Sequence, residues 1–390
     1  MQIKSPLWPK SVALLFLSLT ASHIIAATPE SETLEISARV MLDYEKFDGL
    51  HNKDIEDEAL SIRRASVWVK YRISDNWKAR IKIGYDERDK QLELKELQFK
   101  TSHFDFADIS FGKFKEPMGL EYASSSKYLA VMERSMMTEA FVSHRNLGMQ
   151  LSNEHKFDNG GSNWALGLFD NGDEGVFKTY AASGRFTFHI KNNKKANVRW
   201  LPKKSLLHFG LSSSYREEEP QDPIRINQPV ELYSGDTILE SNKIDAKSQR
   251  IVGLEAAFSM GSFNFQSEYM QQRVTAHPES NDEDSVYSGG YIQLSYFLTG
   301  EKLRYDDKRF KGPKLGKNSS AWQLSARISR LDARDNEKGG EAENITLGLT
   351  YYYGKKLKMM LNVSEAEISG KNAIFANEGK SLAIRGQYSF

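Results

Sequence analysis

Apolar and polar residues alternate along much of this chain, and its last segment shows the pattern most clearly. One face of that segment carries Leu382, Ile384, Tyr388 and Phe390, and the other carries Ser381, Arg385, Gln387 and Ser389. A two-residue period gives a β-strand one face suited to lipid and one suited to water. The same alternation recurs from about residue 33 onward, without the spacing of an amphipathic helix.

The alternation divides the chain into about sixteen candidate strands, long enough to cross a membrane when tilted. These lie near residues 33–42, 60–71, 77–86, 92–100, 107–115, 145–154, 162–170, 177–190, 204–216, 248–259, 262–274, 285–299, 319–331, 342–354, 355–366 and 380–390. Short connectors (72–76, 101–106) alternate with long polar ones (43–59, 217–247, 367–379). We predict an all-β fold: a transmembrane antiparallel barrel with both chain ends and the short turns in the periplasm.

Composition tests this prediction, because 39% hydrophobic and 27% charged residues is a polar balance for a membrane protein. A barrel accommodates it, since only alternate strand residues face lipid. A soluble β-sandwich or propeller is the competing architecture, but the chain lacks the glycine- or aromatic-marked repeat of a propeller. The 17 tyrosines and 21 phenylalanines, several at predicted strand ends, favour the membrane barrel.

The first 27 residues have the order of a secretory signal peptide. Lys4 and Lys10 flank the apolar run 12–19, and small residues lead to Ala26 and Ala27. The run is too short to span a bilayer as a helix. The chain also has no cysteine. We therefore expect residues 28–390 to form one exported barrel without disulfides, in the bacterial outer membrane.

Several segments of the chain carry motifs of a known protein family. Residues 111–151 carry FGKFKEP (111–117), LEYASSSKY (120–128), MER (132–134) and FVSHRNLGMQL (141–151). Further motifs are LSIRRA (60–65), YFLTGE (296–301), AWQLSARISRLD (321–332) and NITLGLTYYYGKKLKMMLNV (344–363). These segments resemble the phosphate-selective porin O and P family. The resemblance implies a sixteen-stranded porin, typically a homotrimer, that passes small anions such as phosphate. It also implies that a loop at about 116–144 folds into the barrel as a constriction; an ordinary surface loop is the alternative.

Basic residues on the polar faces of predicted strands are the candidate anion contacts. Cationic side chains replace part of the hydration that an anion loses in a narrow pore, and arginine suits oxyanions because it donates two parallel hydrogen bonds. These residues are Arg64, Lys70, Lys78, Arg80, Lys82, Arg185 and Arg327. For each of them the competing interpretation is a structural charge, neutralised by an acid across the polar lumen.

The resemblance adds further site residues. Arg63 and Arg64 match an arginine pair of the family, and Lys127 and Arg134 match basic positions of its constriction loop. Arg63 faces the lumen beside Arg64 only if the backbone bulges there or lies above the membrane rim. Glu96 matches an acidic family position. Tyr122 stands where phosphate-selective members have a lysine, so a general-diffusion or organic-anion porin is the alternative function.

The remaining features exclude other classes. No serine-elbow, phosphate-loop or dinucleotide motif occurs, and the eight histidines lack ligand spacing. We predict no enzymatic activity, cofactor, metal or nucleic-acid partner; outer-membrane lipid and lipopolysaccharide surround the barrel. A third hypothesis is a structural or adhesive barrel plugged by its own loops. The basic connector 300–318 is expected to be a solvated turn or an electrostatic attractor of anions on the periplasmic side.

Overall fold

The computed structural model describes residues 33–49, 58–87, 90–143, 145–172, 178–192, 198–219, 222–235, 237–306, 308–316, 319–335, 339–370 and 378–390. The predicted signal segment, 1–27, lies outside these ranges. Among the described residues, no helix has the length and apolar composition that a membrane span would need.

Sixteen antiparallel strands form a closed barrel, which confirms the predicted fold class. They are β1 Thr33–Gly49, β2 Glu58–Arg72, β3 Trp77–Asp86, β4 Gln91–Thr101, β5 Asp108–Phe114, β6 Asn146–Phe157, β7 Gly160–Asp170, β8 Tyr180–Asn192, β9 Ser205–Glu217, β10 Ala246–Met260, β11 Phe263–Ala276, β12 Ser285–Phe297, β13 Ser320–Asp332, β14 Gly340–Tyr353, β15 Leu357–Gly370 and β16 Glu378–Ser389. Each pairs with the next, and β16 pairs with β1. We call the end where β1 begins the lower end.

The barrel is apolar outside and polar inside, the reverse of a soluble protein. On β14, Leu347 is 59% exposed whereas its neighbour Thr346 is 3% exposed. The same contrast holds along the other strands, because neighbouring strand residues point to opposite faces. A belt of exposed leucine, isoleucine and aromatic side chains fits hydrocarbon, and buried serine, threonine and arginine side chains fill the interior.

A bulge in β2 places two consecutive arginines inside the barrel. Met41 pairs with Arg64 and Asp43 pairs with Ser61, so two steps on β1 oppose three on β2. The extra residue interrupts the alternation there. Arg63 and Arg64 therefore both reach interior partners, Glu133 and Ser126 respectively.

Three connecting segments fold into the barrel. Residues 115–145, between β5 and β6, contain the short helices Leu120–Ala123 and Met136–Phe141 and contact the inner wall, as expected for the constriction loop. Residues 218–245 enter from the same upper end and form the strand pair Asn227–Gln228 and Leu239–Glu240.

The third segment corrects the expectation of a solvated connector at 300–318. Its strand pair, Leu303–Tyr305 with Phe310–Pro313, enters from the lower end. Phe310 is buried against Leu120 of the constriction loop and Leu206 of β9. Apolar side chains at alternate positions of a basic segment explain why it folds inward.

Candidate functional site

A cavity of about 620 Å³ lies between the constriction loop and the wall formed by β1–β6. Twelve lysines and arginines line it, against four acidic residues. The cations are Arg39, Arg63, Arg64, Arg80, Lys82, Lys95, Lys100, Lys115, Arg134, Arg145, Lys308 and Arg309; the acids are Asp86, Glu93, Glu96 and Glu139. This excess of positive charge in a narrow space favours anions.

Four of these cations form no ion pair with a carboxylate among the described residues: Arg39, Lys82, Lys115 and Lys308. Arg39 lies near Arg64 and Arg134, whose charges repel it, and its Nε atom is buried without a hydrogen-bond partner in the described part of the chain. Lys82 is buried, and its nearest aromatic contact is the Trp68 ring at 5.9 Å. Lys115 is bound by carbonyl oxygens of the loop rather than by an acid. Unneutralised cations of this kind gain most from an anion beside them.

Arg64 and Arg134 are only loosely neutralised. Arg64 donates to the hydroxyl of Ser126 at 3.0 Å, and its closest carboxylate is Asp86 at 3.6 Å. Arg134 reaches Glu139 at 3.5 Å and the carbonyl oxygen of Ser124 at 3.3 Å. Both guanidinium groups line the cavity and keep donors available to a solute.

Arg63 differs from its neighbour because two carboxylates hold it. It donates to Asp86 at 2.8 Å and, through two nitrogens, to Glu133 at 2.8 and 2.9 Å. Burial alone would raise the pKa of the Glu133 carboxyl, but Arg63 and Arg385 outweigh burial and hold that pKa well below its ordinary value. Arg63 therefore fastens the constriction loop to β2 at the edge of the cavity.

The opposite side of the barrel, formed by β8–β16, anchors the loop. Arg327 of β13 binds Glu121 of the loop at 3.1 Å and also Glu231 of the second inward segment. Arg385 of β16 binds Glu133 and Asp43, and Lys358 of β15 donates to the carbonyl oxygen of Leu129 at 2.6 Å. Cations on this side are thus engaged with protein oxygens.

Glu268 of β11 adds an anchor of opposite sign. Its carboxylate accepts from the backbone N–H groups of Leu120 and Glu121 at 2.7 and 2.6 Å. The preceding residue, Gly119, has φ +52°, and a Cβ atom there would lie 2.6 Å from the Glu268 carboxylate. A glycine is required for the loop to approach the wall this closely.

The structure divides the ten predicted site residues evenly. Five line the cavity: Arg63, Arg64, Arg80, Lys82 and Arg134. Arg185 and Arg327 instead form buried ion pairs with Glu255 and Glu231. Lys70 pairs with exposed Glu35, Lys78 is exposed on β3, and Lys127 lies over the Tyr128 ring, 5.0 Å from its centroid. Anion contact at any of these ten positions stays a prediction.

Sequence reasoning missed several cavity residues. Arg39 lies on the polar phase of β1, between Ala38 and Val40, so strand alternation alone contains its signal. Lys115 and Arg145 lie where the loop leaves β5 and enters β6, and no local pattern indicates them. Lys308 and Arg309 belong to the basic connector 300–318, whose charge predicts an attractor of anions on the periplasmic side. Their place in the cavity depends on how that segment folds inward.

Comparison with known proteins agrees with this geometry. The family model of phosphate-selective porin O and P matches residues 34–390. The chain belongs to this family. Porin O of Pseudomonas aeruginosa is 24% identical over 414 residues, covering 94% of this chain and 90% of that protein.

Solved structures share the fold. OmpT of Vibrio cholerae superposes with a TM-score of 0.58 at 9% identity, covering 94% of this chain and 100% of that one. The anion-selective porin from Comamonas acidovorans gives 0.55 at 11% identity, covering 92% and 100%. The predicted family, fold and location are therefore confirmed: the protein is a porin of the bacterial outer membrane.

Proposed function

We propose that this porin passes small anions, phosphate or related oxyanions among them, by passive diffusion and with no catalytic step. The observation that carries the proposal is the cavity with twelve basic and four acidic lining residues. The description of the family, phosphate-selective porin O and P, and the name of the anion-selective porin from C. acidovorans support the same solute class. Residues 1–27 serve as the export signal in this proposal.

The mechanism follows from the uneven neutralisation of the cations. An anion entering beside the loop exchanges water for N–H donors of Arg64 and Arg134, which have weak protein partners. Arg39, Lys82 and Lys115 add positive charge at the cavity and form no ion pair with a carboxylate of the described residues. Because the site combines several moderate contacts rather than one enclosed cage, the anion can leave again.

Tyr122 separates two versions of this function. Its hydroxyl is buried with no hydrogen-bond partner within the ranges that the structure describes, and its ring contacts Lys115 and Arg134. A phosphate-preferring pore requires these cations to recognise an oxyanion despite the tyrosine. A general or organic-anion pore, which is the second candidate, uses the apolar ring instead.

Planar-bilayer recordings test both points. In a potassium chloride gradient, the sign of the reversal potential should show that the pore prefers anions. A preference for cations, or the absence of channels, contradicts the proposal. Added phosphate should then block chloride current in the phosphate-preferring version. Chloride current that ignores phosphate while organic anions block it favours the second candidate.

The Arg134→Ala variant tests the site itself. Removing this guanidinium should lower the anion preference and weaken any block by phosphate, because Arg134 faces the cavity with only a 3.5 Å carboxylate contact. Lys78→Ala is the matched control, since Lys78 is exposed on the adjoining wall. Equal behaviour of the two variants removes Arg134 from the site.

We also propose a homotrimer within the outer membrane. A trimer form of V. cholerae OmpT, which shares the fold with a TM-score of 0.53, supports the proposal. Unheated electrophoresis or native mass measurement of the purified porin checks it, and a purely monomeric species contradicts it.

A further inference from the structure

Lys115 is the first residue after β5, where the constriction loop leaves the barrel wall. Its Nζ atom donates to the carbonyl oxygen of Tyr122 and, at 3.4 Å, to that of Ser124. The same atom lies 4.4 Å from the centroid of the Tyr122 ring, within the range of a cation–π contact. Neutral groups of the loop therefore hold this ammonium group in place at the cavity.

The charged groups around Lys115 are mostly positive. Arg134 and Arg145 face it from the loop, Lys82 from β3, and Arg309 from the lower hairpin. The nearby acids are occupied: Glu96 by Arg80 and Arg145, Glu139 by Arg134, and Glu116 by Arg216. Enclosure first, and then the charges of Arg134 and Arg145, lower the pKa of Lys115 well below the ordinary lysine value.

Lys115 differs in kind from the arginines of the cavity. Arginine stays charged at every relevant pH, whereas a desolvated lysine loses its proton readily. The position of Lys115 beside Arg134, over the same aromatic ring, makes it part of the path that an anion follows. Its charge is thus a part of the pore's selectivity that pH can remove.

We propose that Lys115 is the titratable selectivity residue of this porin and that Tyr122 positions its ammonium group toward passing anions. The inference rests on the proposed anion preference. A lowered pKa means that the charge is present at low pH and lost as the pH rises through that pKa. Anion preference should therefore fall as the pH rises, and the fall should occur at a pH below the ordinary lysine pKa of about 10.4.

Reversal potentials measured in a potassium chloride gradient test the inference. The pH is varied from about 6 to about 9, which is below the ordinary pKa of a lysine. Chloride is the probe because it keeps one charge throughout. The anion-to-cation permeability ratio should fall by about fivefold between the charged and the neutral form of Lys115, the effect of one unit charge about 4 Å away in water. Lys115→Arg should hold the ratio high at every pH, and Lys115→Met should hold it low.

The other lysines of the cavity supply the comparison. Lys82→Arg and Lys308→Arg test the two further cavity lysines that have no carboxylate partner among the described residues, and Lys78→Arg tests an exposed lysine of the strand that carries Lys82. The pH response should persist in all three variants. A response that persists in Lys115→Arg, or that Lys82→Arg or Lys308→Arg abolishes, overturns the inference.

The positioning role of Tyr122 has its own readout. Tyr122→Leu removes the ring that stabilises the ammonium group, so the midpoint of the pH response should move to lower pH. Tyr122→Phe keeps the ring and should restore the original midpoint; identical midpoints in both variants contradict this role. A porin with no anion preference at any pH refutes the proposed function, whereas a pH-independent anion preference refutes only the role of Lys115.

Discussion

The two sides of this barrel carry the same types of charged residue, but these residues have different roles. On the β8–β16 side, Arg327, Arg385 and Arg185 each bind buried carboxylates, and the first two attach the constriction loop. On the β1–β6 side, Arg39 and Lys82 face the cavity with no acid partner among the described residues. The loop lies between the two sides and separates them.

This difference shows that neutralisation, rather than residue type, decides what a lumen cation does. A paired cation stabilises the fold, because removing it leaves a buried carboxylate uncompensated. An unpaired cation opposes folding through repulsion and is satisfied only by an anion from solution. Substitutions on the two sides should therefore separate stability from selectivity.

The largest expected effect is on stability, for Arg327→Met. Glu121 and Glu231 would lose their shared cation in a buried site, which costs about 3–5 kcal/mol of unfolding free energy. Denaturant unfolding in detergent, followed by tryptophan fluorescence, measures it. Arg39→Met is the matched substitution on the other side, and equal destabilisation by the two contradicts the comparison.

A smaller loss is expected for Glu268→Gln. The amide keeps one oxygen but loses the charge that accepts from the N–H groups of Leu120 and Glu121, at a cost of about 1–3 kcal/mol. The same unfolding assay measures it, and single-channel records should show a noisier open state as the loop loosens. Quiet channels with unchanged stability would show that this anchor is dispensable.

Arg39→Met should change selectivity rather than stability. Removing an unpaired cation from the cavity should lower the anion-to-cation permeability ratio by about fivefold, with unfolding unchanged or shifted to higher denaturant. Reversal potentials and denaturant titration of the same preparation measure both. Lower stability with unaltered selectivity would place Arg39 among the structural cations.

The smallest effect is expected for Lys70→Ala. Lys70 pairs with Glu35 at 3.0 Å, but both side chains are exposed, and such pairs contribute about 0.2–1 kcal/mol. Neither conductance nor reversal potential should change in bilayers. A clear loss of anion preference would extend the cationic path beyond the cavity described above.

Strand alternation predicted the barrel because, in a membrane barrel, every second strand residue faces lipid and is apolar, while the residues between them face the polar interior. All sixteen predicted strands occur, with most ends shifted by a few residues, as at β15. The exception is β1, which continues to Gly49 through the first part of the segment predicted as a long loop (43–59). The β2 bulge was foreseen only as a condition for Arg63 to face inward. The bulge arises from the pairing of Met41–Asp43 with Ser61–Arg64, so neither segment shows it alone.

The candidate site was less predictable. Arg64, Arg80 and Lys82 follow strand phase, and Arg134 follows the resemblance in the loop. The phase that places Arg64 in the cavity is shared by Arg327, which instead binds Glu231. That partner lies ninety-six positions away in the chain, so no local pattern reveals it.

The sequence by itself determined the membrane-barrel architecture, the family and the set of inward-facing cations, since two-residue periodicity and local motifs are properties of short segments. Only the tertiary structure decided which of these cations are neutralised. That choice depends on two long segments meeting inside the barrel, where Glu121, Glu133 and Glu231 bind one set of arginines. None of these three glutamates forms an ion pair with Arg39, Lys82 or Lys115.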